Sequence, residues 1–185
     1  MDADPPSRQT QLKVFSAESS FSFTMEVLFP HESILSNPSV ALIREELGAE
    51  LLNEPPTLST FVDDVVVGAM GAQNAISYFK RGVLLITPGD REDIILAACT
   101  GLDVQSEEKM AGIVLTGNLR PNASVLKVIR AMPIPVLLTV EDSYRVASKV
   151  HDLTVKTRPN DAGKISLIRD LIARNVDLEK ILKAL

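Results

Sequence analysis

A chain that repeats a short apolar run, a polar turn and an amphipathic stretch has few folds open to it, and this sequence does so from residue 62 onward. The apolar runs are VVV (65–67), VLLIT (83–87), GIVLT (112–116) and PVLLT (135–139). Each run is continuous rather than alternating, which is typical of strands buried on both faces of a parallel sheet. The pattern therefore predicts parallel strands as the centre of the fold.

The stretches between these runs have the spacing of helices. Four of them follow the strands, and two more are predicted near the C-terminus: 72–80, 90–101, 122–132, 141–150, 160–175 and 177–185. Parallel strands joined by helices require right-handed crossovers that place the helices against the sheet. We therefore predict an α/β fold with a mostly parallel sheet, helices on its faces in a layered αβα arrangement, and two C-terminal helices.

The composition changes along the chain and suggests three parts. Residues 1–29 contain Pro5, Pro6 and a serine-rich stretch without a clear period, which predicts a poorly ordered N-terminal arm. Residues 30–60 form a helical lead-in segment, with a helix over 36–52 capped by Asn37. The α/β domain is predicted over residues 61–185.

Charge and cysteine content exclude several classes of protein. The net charge of −5 gives no support for binding nucleic acid or an anionic membrane. No apolar run approaches the roughly 20 residues of a membrane helix, and the N-terminus does not read as a secretory signal. The single cysteine, Cys99, excludes an internal disulfide and suits a reducing compartment, so a cytoplasmic protein is expected.

Polar residues follow the strands at the point where each strand ends. Three runs end in threonine, at Thr87, Thr116 and Thr139, and the first ends at Gly68. The carboxyl ends of parallel strands share one edge of the sheet, and ligands of such folds bind beyond that edge. The four strand ends are therefore predicted to lie together and to border any ligand site.

The stretch after the second run, DRED (90–93), admits two interpretations. Asp90 at the N-cap and carboxylates in the first helical turn are what an ordinary helix start uses. The alternative is a ligand site at the rim of the sheet, in which Arg91 is the residue that a helix start explains least. Three carboxylates at this helix start would repel phosphate.

The stretch after the third run, TGNLRP (116–121), suits an anion better. Thr116, Gly117 and Asn118 are predicted to form a flexible turn with free backbone N–H groups, and Arg120 adds a fixed positive charge. The alternative is a plain strand-to-helix loop that Asn122 caps.

No catalytic or metal-binding set of residues is recognisable. His31 and His151 have no partner at metal-ligand spacing, and no phosphate-binding loop or serine nucleophile motif occurs. Cys99 lies in a helical apolar pattern and is interpreted as a core residue rather than a nucleophile. We therefore expect no catalytic residue, no metal and no cofactor.

Several of these motifs occur together in a known family. The segments VDDVVVGAM, LLITPGDREDIILAA, GIVLTGNLRP and PVLLTVEDSYRVASKVHDL, followed by KTRPND, resemble the DRTGG domain of long phosphate acetyltransferases and of CBS-containing pyrophosphatases. The resemblance covers about residues 61–185. It places the family's name residues on Asp90, Arg91, Thr116 and Gly117, with Asn118 where the family has its final glycine.

The resemblance implies a regulatory, dimer-forming module without an established catalytic role. The domains that flank it in the long phosphate acetyltransferases do not occur in this sequence, so acyl-transfer chemistry is not expected and the chain is interpreted as not being an enzyme. The leading hypothesis is a module that binds a small anionic metabolite or nucleotide. The second is a homodimerisation or accessory interaction module, and an acetyl- or phosphoryl-transfer enzyme ranks third.

The ligand hypothesis names seven residues: Thr87, Asp90, Arg91, Thr116, Gly117, Asn118 and Arg120. Arg91 and Arg120 are predicted to converge on one anion. The alternative is that Arg91 pairs with a carboxylate such as Glu92 or Asp63 and that Arg120 is solvated. For the homodimer, the sequence offers an apolar stripe in the last predicted helix, at Leu178, Ile181, Leu182 and Leu185.

Overall fold

The computed structural model describes residues 8–15, 22–29, 33–100, 109–153, 155 and 162–176. The chain forms two compact units, one made of residues 1–36 and 156–185 and the other of residues 37–155. The elements in chain order are β1 (Arg8–Phe15), β2 (Ser22–Phe29), α1 (Ser33–Ser36), α2 (Val40–Leu47), β3 (Glu50–Leu51), β4 (Asp64–Val67), α3 (Ala72–Ala75), β5 (Val83–Pro88), α4 (Glu92–Thr100), β6 (Gly112–Thr116), α5 (Ala123–Ala131), β7 (Val136–Leu138), α6 (Ser143–His151) and α7 (Ala162–Asn175).

The second unit is built on a five-stranded sheet in the order β3-β7-β6-β5-β4. Strands β4 to β7 are parallel to their neighbours, and only β3 pairs antiparallel, with β7. The predicted α/β fold with a mostly parallel sheet is confirmed. The four strand ends at Gly68, Thr87, Thr116 and Thr139 lie on one edge, as predicted, because β4 to β7 run in the same direction.

Both faces of the sheet are covered, since alternate residues of each strand point to opposite sides. On one side, Leu85, Ile113 and Val136 pack with α3, α4 and α5, and on the other side Leu84, Val114 and Leu137 pack with α2 and α6. Strands β5, β6 and β7 are buried on both faces, which explains their continuous apolar sequences, whereas the edge strand β4 is partly exposed. The layered αβα arrangement is confirmed.

Helix ends follow local capping chemistry with one shift from the prediction. Asn122 caps α5, where its Oδ1 accepts hydrogen bonds from the backbone N–H groups of Ser124 and Val125. Asn37 does not cap the helix of the lead-in segment. That helix begins later, and Ser39 caps α2 by accepting from the backbone N–H of Leu42. It ends at Gly48, whose φ of 55° is in the left-handed region that glycine tolerates.

The lead-in segment is part of the sheet domain rather than a separate part of the chain. Val40, Ile43 and Leu47 of α2 are buried against the sheet, and Glu50 and Leu51 form the edge strand β3. The domain that the structure describes therefore begins near residue 37 instead of residue 61. The sequence of 36–52 concealed this strand because it continues the helical pattern past Gly48.

The first unit contains two strands in a region for which we expected a poorly ordered arm. Strands β1 and β2 pair antiparallel in full register, from Arg8 opposite Phe29 to Phe15 opposite Ser22. Helix α7, predicted over 160–175, packs on β2. The predicted helix over 177–185 and its apolar stripe lie outside the described residues. Within the described part of the chain, no helix has the length and apolar character needed to cross a bilayer.

Candidate functional site at the strand ends

The carboxyl ends of β4 to β7 and the turns that follow them form the candidate site. We call this region the strand-end edge, and it comprises residues 68–70, 87–91, 116–120 and 139–145. All seven residues predicted to bind a ligand lie in it. What they do there differs from the prediction at several positions.

The two threonines of the motif tie neighbouring segments together. Thr87 and Thr116 are buried. The hydroxyl of Thr87 donates to the carbonyl oxygen of Gly68 over 3.4 Å, and the hydroxyl of Thr116 shares a 2.7 Å hydrogen bond with Ser143. Their hydroxyl groups therefore hold β5 to the end of β4 and β6 to the start of α6. These hydrogen bonds within the domain account for the threonines at both strand ends without a ligand.

The backbone N–H groups of Gly117 and Asn118 are not free, which corrects the prediction for this turn. The N–H of Gly117 donates to the carbonyl oxygen of Glu141 over 2.7 Å, and that of Asn118 donates to Thr139 over 2.8 Å. The chain beyond β7 continues alongside this turn and supplies both acceptors. Gly117 and Asn118 have φ angles of 74° and 54°, so Asn118 keeps the backbone geometry that a glycine would favour.

Arg91 joins the start of α4 to the loop after β4. Its Nε and Nη2 donate to the two carboxylate oxygens of Asp93, both over 2.9 Å, and Nη2 also donates to the carbonyl oxygen of Met70. These bonds raise the pKa of Arg91 and lower the pKa of the Asp93 carboxyl. Arg91 thus pairs with a carboxylate, but with Asp93 rather than with Glu92 or Asp63.

Asp90 and Glu92 also depart from the predicted helix start. Helix α4 begins at Glu92, and among the described residues the Asp90 carboxylate accepts no hydrogen bond, so Asp90 is not the N-cap. Glu92 instead reaches the next helix, where its two oxygens accept from the backbone N–H and the side-chain amide of Asn122 over 2.9 and 2.7 Å. Glu92 therefore links the starts of α4 and α5.

Arg120 is half-exposed but has an ion-pair partner, and it is not directed towards Arg91. Its Nη1 and Nη2 donate to the two carboxylate oxygens of Glu50 on β3, and these bonds raise the pKa of Arg120. Because β3 and β4 are the two ends of the sheet, the guanidinium groups of Arg120 and Arg91 turn in opposite directions. The prediction that they converge on one anion is therefore wrong in this structure. Each guanidinium group instead pairs with a carboxylate, Arg120 with Glu50 and Arg91 with Asp93.

Three exposed apolar side chains lie on the β6–β7 side of this edge. Leu119 is 42%, Val140 75% and Tyr144 81% exposed, and we call them the apolar platform. The sequence prediction did not include them. The available signal was a valine directly after the strand-end threonine and a tyrosine in the first turn of the next helix, where a polar residue is usual.

The charge on the same side of the edge is mixed. Lys149 donates to Oε1 of Glu141, whereas Oε2 of Glu141 is buried and has no hydrogen-bond partner within the described part of the chain. A buried carboxylate oxygen without a donor is uncommon in folded proteins and is found at functional positions. The strand-end edge therefore retains one unsatisfied polar group.

The described residues hold no cluster of histidine, cysteine, aspartate or glutamate side chains that could bind a metal ion. Cys99 is half-buried in α4, and burial raises the pKa of its thiol to about 11. Its thiolate fraction at neutral pH is therefore very small, which is the opposite of what a nucleophilic cysteine requires. This supports the interpretation of Cys99 as a core residue.

A separate cleft of about 370 Å³ lies at the opposite edge of the sheet, near the start of β4 and the end of α6. Asp63, Asp64 and His151 contribute its ionisable side chains, and its lining contains no lysine or arginine. Its charge suits an anionic ligand less than the strand-end edge does.

The fold and this edge define a three-layer α/β domain without a metal cluster in its described part. The DRTGG domain family model matches residues 42–153. The chain therefore belongs to the DRTGG domain family, and the predicted resemblance is confirmed. The matched range agrees with the second unit and includes most of α2 and all of β3, which the predicted boundary at residue 61 had left out.

Similar proteins are considerably longer than this chain. The phosphate acetyltransferase of Nitratidesulfovibrio vulgaris is 33% identical over 157 residues, which are 83% of this chain and 22% of that protein. The phosphate acetyltransferase of Nitrosomonas europaea is 28% identical over 165 residues, which are 88% of this chain and 24% of that protein. The chain thus spans about a quarter of the length of these relatives or less.

A solved structure shares the fold. The CBS and DRTGG domains of the regulatory region of Clostridium perfringens pyrophosphatase, complexed with the activator diadenosine tetraphosphate, match with a TM-score of 0.53 and 26% identity. The match covers 70% of this chain and 56% of that one.

Proposed function

We propose that this chain is a non-catalytic regulatory module that binds a small anionic ligand, with nucleotides as the first class to test, at the strand-end edge. One observation carries the proposal: Arg120 and the apolar platform lie on neighbouring segments of the strand-end edge. Leu119 precedes Arg120 directly, and the hydrogen bonds of Gly117 and Asn118 hold this turn against Val140. A cation beside exposed apolar side chains fits the phosphate and the base of a nucleotide.

Arg120 is available to a ligand although it has a partner. The Arg120 and Glu50 side chains are 49% and 54% exposed, and an ion pair this exposed contributes little to stability. A phosphate group carries more charge than a carboxylate and matches the guanidinium fork equally well. Exchange of Glu50 for phosphate therefore requires a side-chain movement and leaves the backbone of the edge in place.

Two further findings support a regulatory role. A similar DRTGG domain lies in the regulatory region of a pyrophosphatase that was solved with a nucleotide activator. Beside the strand-end edge, Asp93 pairs with Arg91 and Glu92 links α4 to α5, and the described residues hold no metal cluster there. This arrangement is suited to binding rather than to acyl or phosphoryl transfer.

We expect Arg120→Ala to weaken the binding of anionic ligands by about tenfold or more, because a charge-assisted hydrogen bond is lost, and to change stability little. A thermal-shift screen of the wild type with nucleotides, acetyl phosphate and coenzyme A identifies the ligand, and titration then gives the two affinities. Arg130→Ala, which removes an exposed arginine at the end of α5, is the matched control. Equal affinity of the Arg120 variant and the control would place the binding site elsewhere. Turnover of acetyl-CoA and phosphate by the pure chain would contradict the non-catalytic assignment.

A second candidate function, self-association, is favoured by the free edge of the sheet at β4. Among the described strands, β4 pairs with β5 alone, and it presents the sequence DVVV, without the lysine or proline that commonly protects an edge strand. Exposed apolar side chains occur in β4, in the segment that follows it and in α4: Val67, Met70, Ile76, Tyr78 and Leu96. An apolar flank beside an unprotected edge is typical of an interface, and a two-fold dimer is the commonest closed assembly.

We expect the wild-type chain to be dimeric at micromolar concentration and Val67→Lys to shift it to the monomer, because a lysine on this edge must be desolvated in the interface. Light scattering coupled to size-exclusion chromatography measures the mass of each variant. Val128→Lys adds the same charge to an exposed position on α5 and should leave the dimer intact. A wild-type chain that is monomeric throughout this concentration range would refute self-association.

A further inference from the structure

We infer that Tyr144, flanked by Val140 and Leu119, is the stacking surface for the base of a nucleotide whose phosphate is held by Arg120. This inference rests on the proposed function and adds the ligand class and the residue that selects it. It concerns the apolar platform, which none of the seven residues predicted from the motif includes.

Hydrogen bonds of the edge bring the three platform residues to one place. Thr139 and Glu141 accept from Asn118 and Gly117, so Val140 lies directly beside the turn that carries Leu119. The hydrogen bond between Thr116 and Ser143 brings the start of α6 to the end of β6, and Tyr144 is the next residue. Two backbone bonds between the turns after β6 and β7, and one side-chain bond from the end of β6 to α6, therefore hold the segments that carry the platform.

The exposure of the platform indicates an occupant. A tyrosine ring that is 81% exposed, next to a valine that is 75% exposed, makes few contacts within its own domain. The neighbouring Arg145 pairs with Asp142 over 3.5 Å, and both of these side chains are exposed. A single aromatic side chain with two aliphatic neighbours is too small for a stable protein interface, whereas it matches the face of one base.

The charges around the platform set the orientation of the ligand. Arg120 follows Leu119 in the chain and Arg145 follows Tyr144, so each of these platform residues has an arginine as its neighbour. Stacking on an aromatic ring tolerates every base, since each has a π-face. The platform therefore selects nucleotides over inorganic phosphates, and it does not discriminate among bases through hydrogen bonds.

The sequence allows a direct spectroscopic test, because it contains no tryptophan and two tyrosines, Tyr78 and Tyr144. In the Tyr78→Phe background, Tyr144 is the sole tyrosine. We expect ADP to quench its fluorescence and pyrophosphate to leave it nearly unchanged, although both bind. Tyr144→Ala should weaken the binding of ADP by about 5- to 150-fold, the range for loss of one stacked base, without changing that of pyrophosphate. Tyr144→Phe keeps the ring and should bind ADP as the wild type does.

The outcomes separate this inference from the proposed function. If ADP and pyrophosphate bind equally well, and Tyr144→Ala affects neither, the stacking role is refuted while anion binding at Arg120 stands. If neither compound binds the wild-type chain, both proposals fail. Loss of ADP and pyrophosphate binding together in Tyr144→Ala, with the Tyr78→Ala control unaffected, would assign Tyr144 a structural role and refute stacking as well.

Discussion

Gly89→Ala should lower the free energy of unfolding of the second unit by about 3 kcal/mol or more, because the added methyl group has no room. A Cβ atom at Gly89 would lie 1.6 Å from the carbonyl oxygen of Leu119 and 2.7 Å from its carbonyl carbon. Both are backbone atoms, so the clash cannot be relieved by a side-chain rotation. Gly89 also donates its N–H to the carbonyl oxygen of Thr116 over 3.3 Å, so separating the two turns breaks a hydrogen bond as well.

The effect of Gly89→Ala is steric and can be separated from backbone strain. Gly89 is not among the glycines with positive φ, so alanine is compatible with its backbone conformation. Gly71→Ala is the matched control, because Gly71 also has an ordinary φ of −66° and a Cβ there meets nothing within 4 Å. We expect it to change stability by no more than about 0.5 kcal/mol. Both tyrosines lie in the second unit, so urea unfolding followed by tyrosine fluorescence reports on it. Equal midpoints for the two variants would contradict the contact between the turns.

Asn53→Ala should destabilise the second unit by about 3 kcal/mol, since it leaves three backbone groups of the α5–β7 connection without their partner. The buried side chain of Asn53 donates to the carbonyl oxygens of Met132 and Ile134 over 3.1 and 2.7 Å, and it accepts from the N–H of Val136 over 2.9 Å. Each orphaned buried group costs about 1–3 kcal/mol, and we take the lower end because an adjacent open cleft of about 370 Å³ admits water.

Asn53→Asp tests whether the two donated bonds matter. A carboxylate keeps the acceptor for Val136 but places negative charge against two carbonyl oxygens, which raises its folded pKa above the unfolded value. The folded state then binds the proton more tightly, so this variant should gain stability relative to the wild type as pH falls towards the carboxyl's ordinary range.

Asn74→Ala, at an exposed position on α3, is the control for Asn53→Ala and should be nearly neutral. An Asn53→Ala variant as stable as this control would mean that the bonds contribute nothing.

Both substitutions bear on the proposed function because both displace backbone segments that lead to the candidate ligand site. Gly89 packs against the turn that carries Leu119 and Arg120, and Asn53 holds the start of β7, which leads to Val140. Loss of ligand binding in either variant would therefore follow from displaced backbone. Arg120→Ala and Tyr144→Ala are the variants that test binding without this complication.

Local sequence patterns were sufficient for the elements of the sheet domain. The four continuous apolar runs became β4 to β7, and the residue that capped α5 in the sequence interpretation, Asn122, caps it in the structure. These features depend on periodicity and on neighbours within four residues, so they are present in the linear sequence. The sequence also predicted correctly that the strand ends share one edge, because the carboxyl ends of parallel strands lie at the same edge of a sheet.

Several partners of charged side chains could not be predicted because they come from distant parts of the chain, although the Asp93 partner of Arg91 is local. Arg120 pairs with Glu50, and Arg91 reaches Met70. Strand β3 was also not predicted from the sequence. Its two residues continue a helical pattern past Gly48, and they form a strand because β7 offers an open edge. The hydrophobic periodicity of a sequence contains no information about which edge of the sheet is open to a further strand.

By itself, the sequence determined the family, the α/β class and the edge at which the motif residues gather, since apolar spacing and capping residues act locally. Only the tertiary structure decided what those residues do there. It engaged the N–H groups of Gly117 and Asn118 with carbonyl oxygens beyond β7, turned Arg91 and Arg120 apart, and left Tyr144 and Val140 exposed beside them. The physical reason is that hydrogen-bond and ion-pair partners are set by proximity in three dimensions, and residues far apart in the chain carry no mutual signal in one sequence.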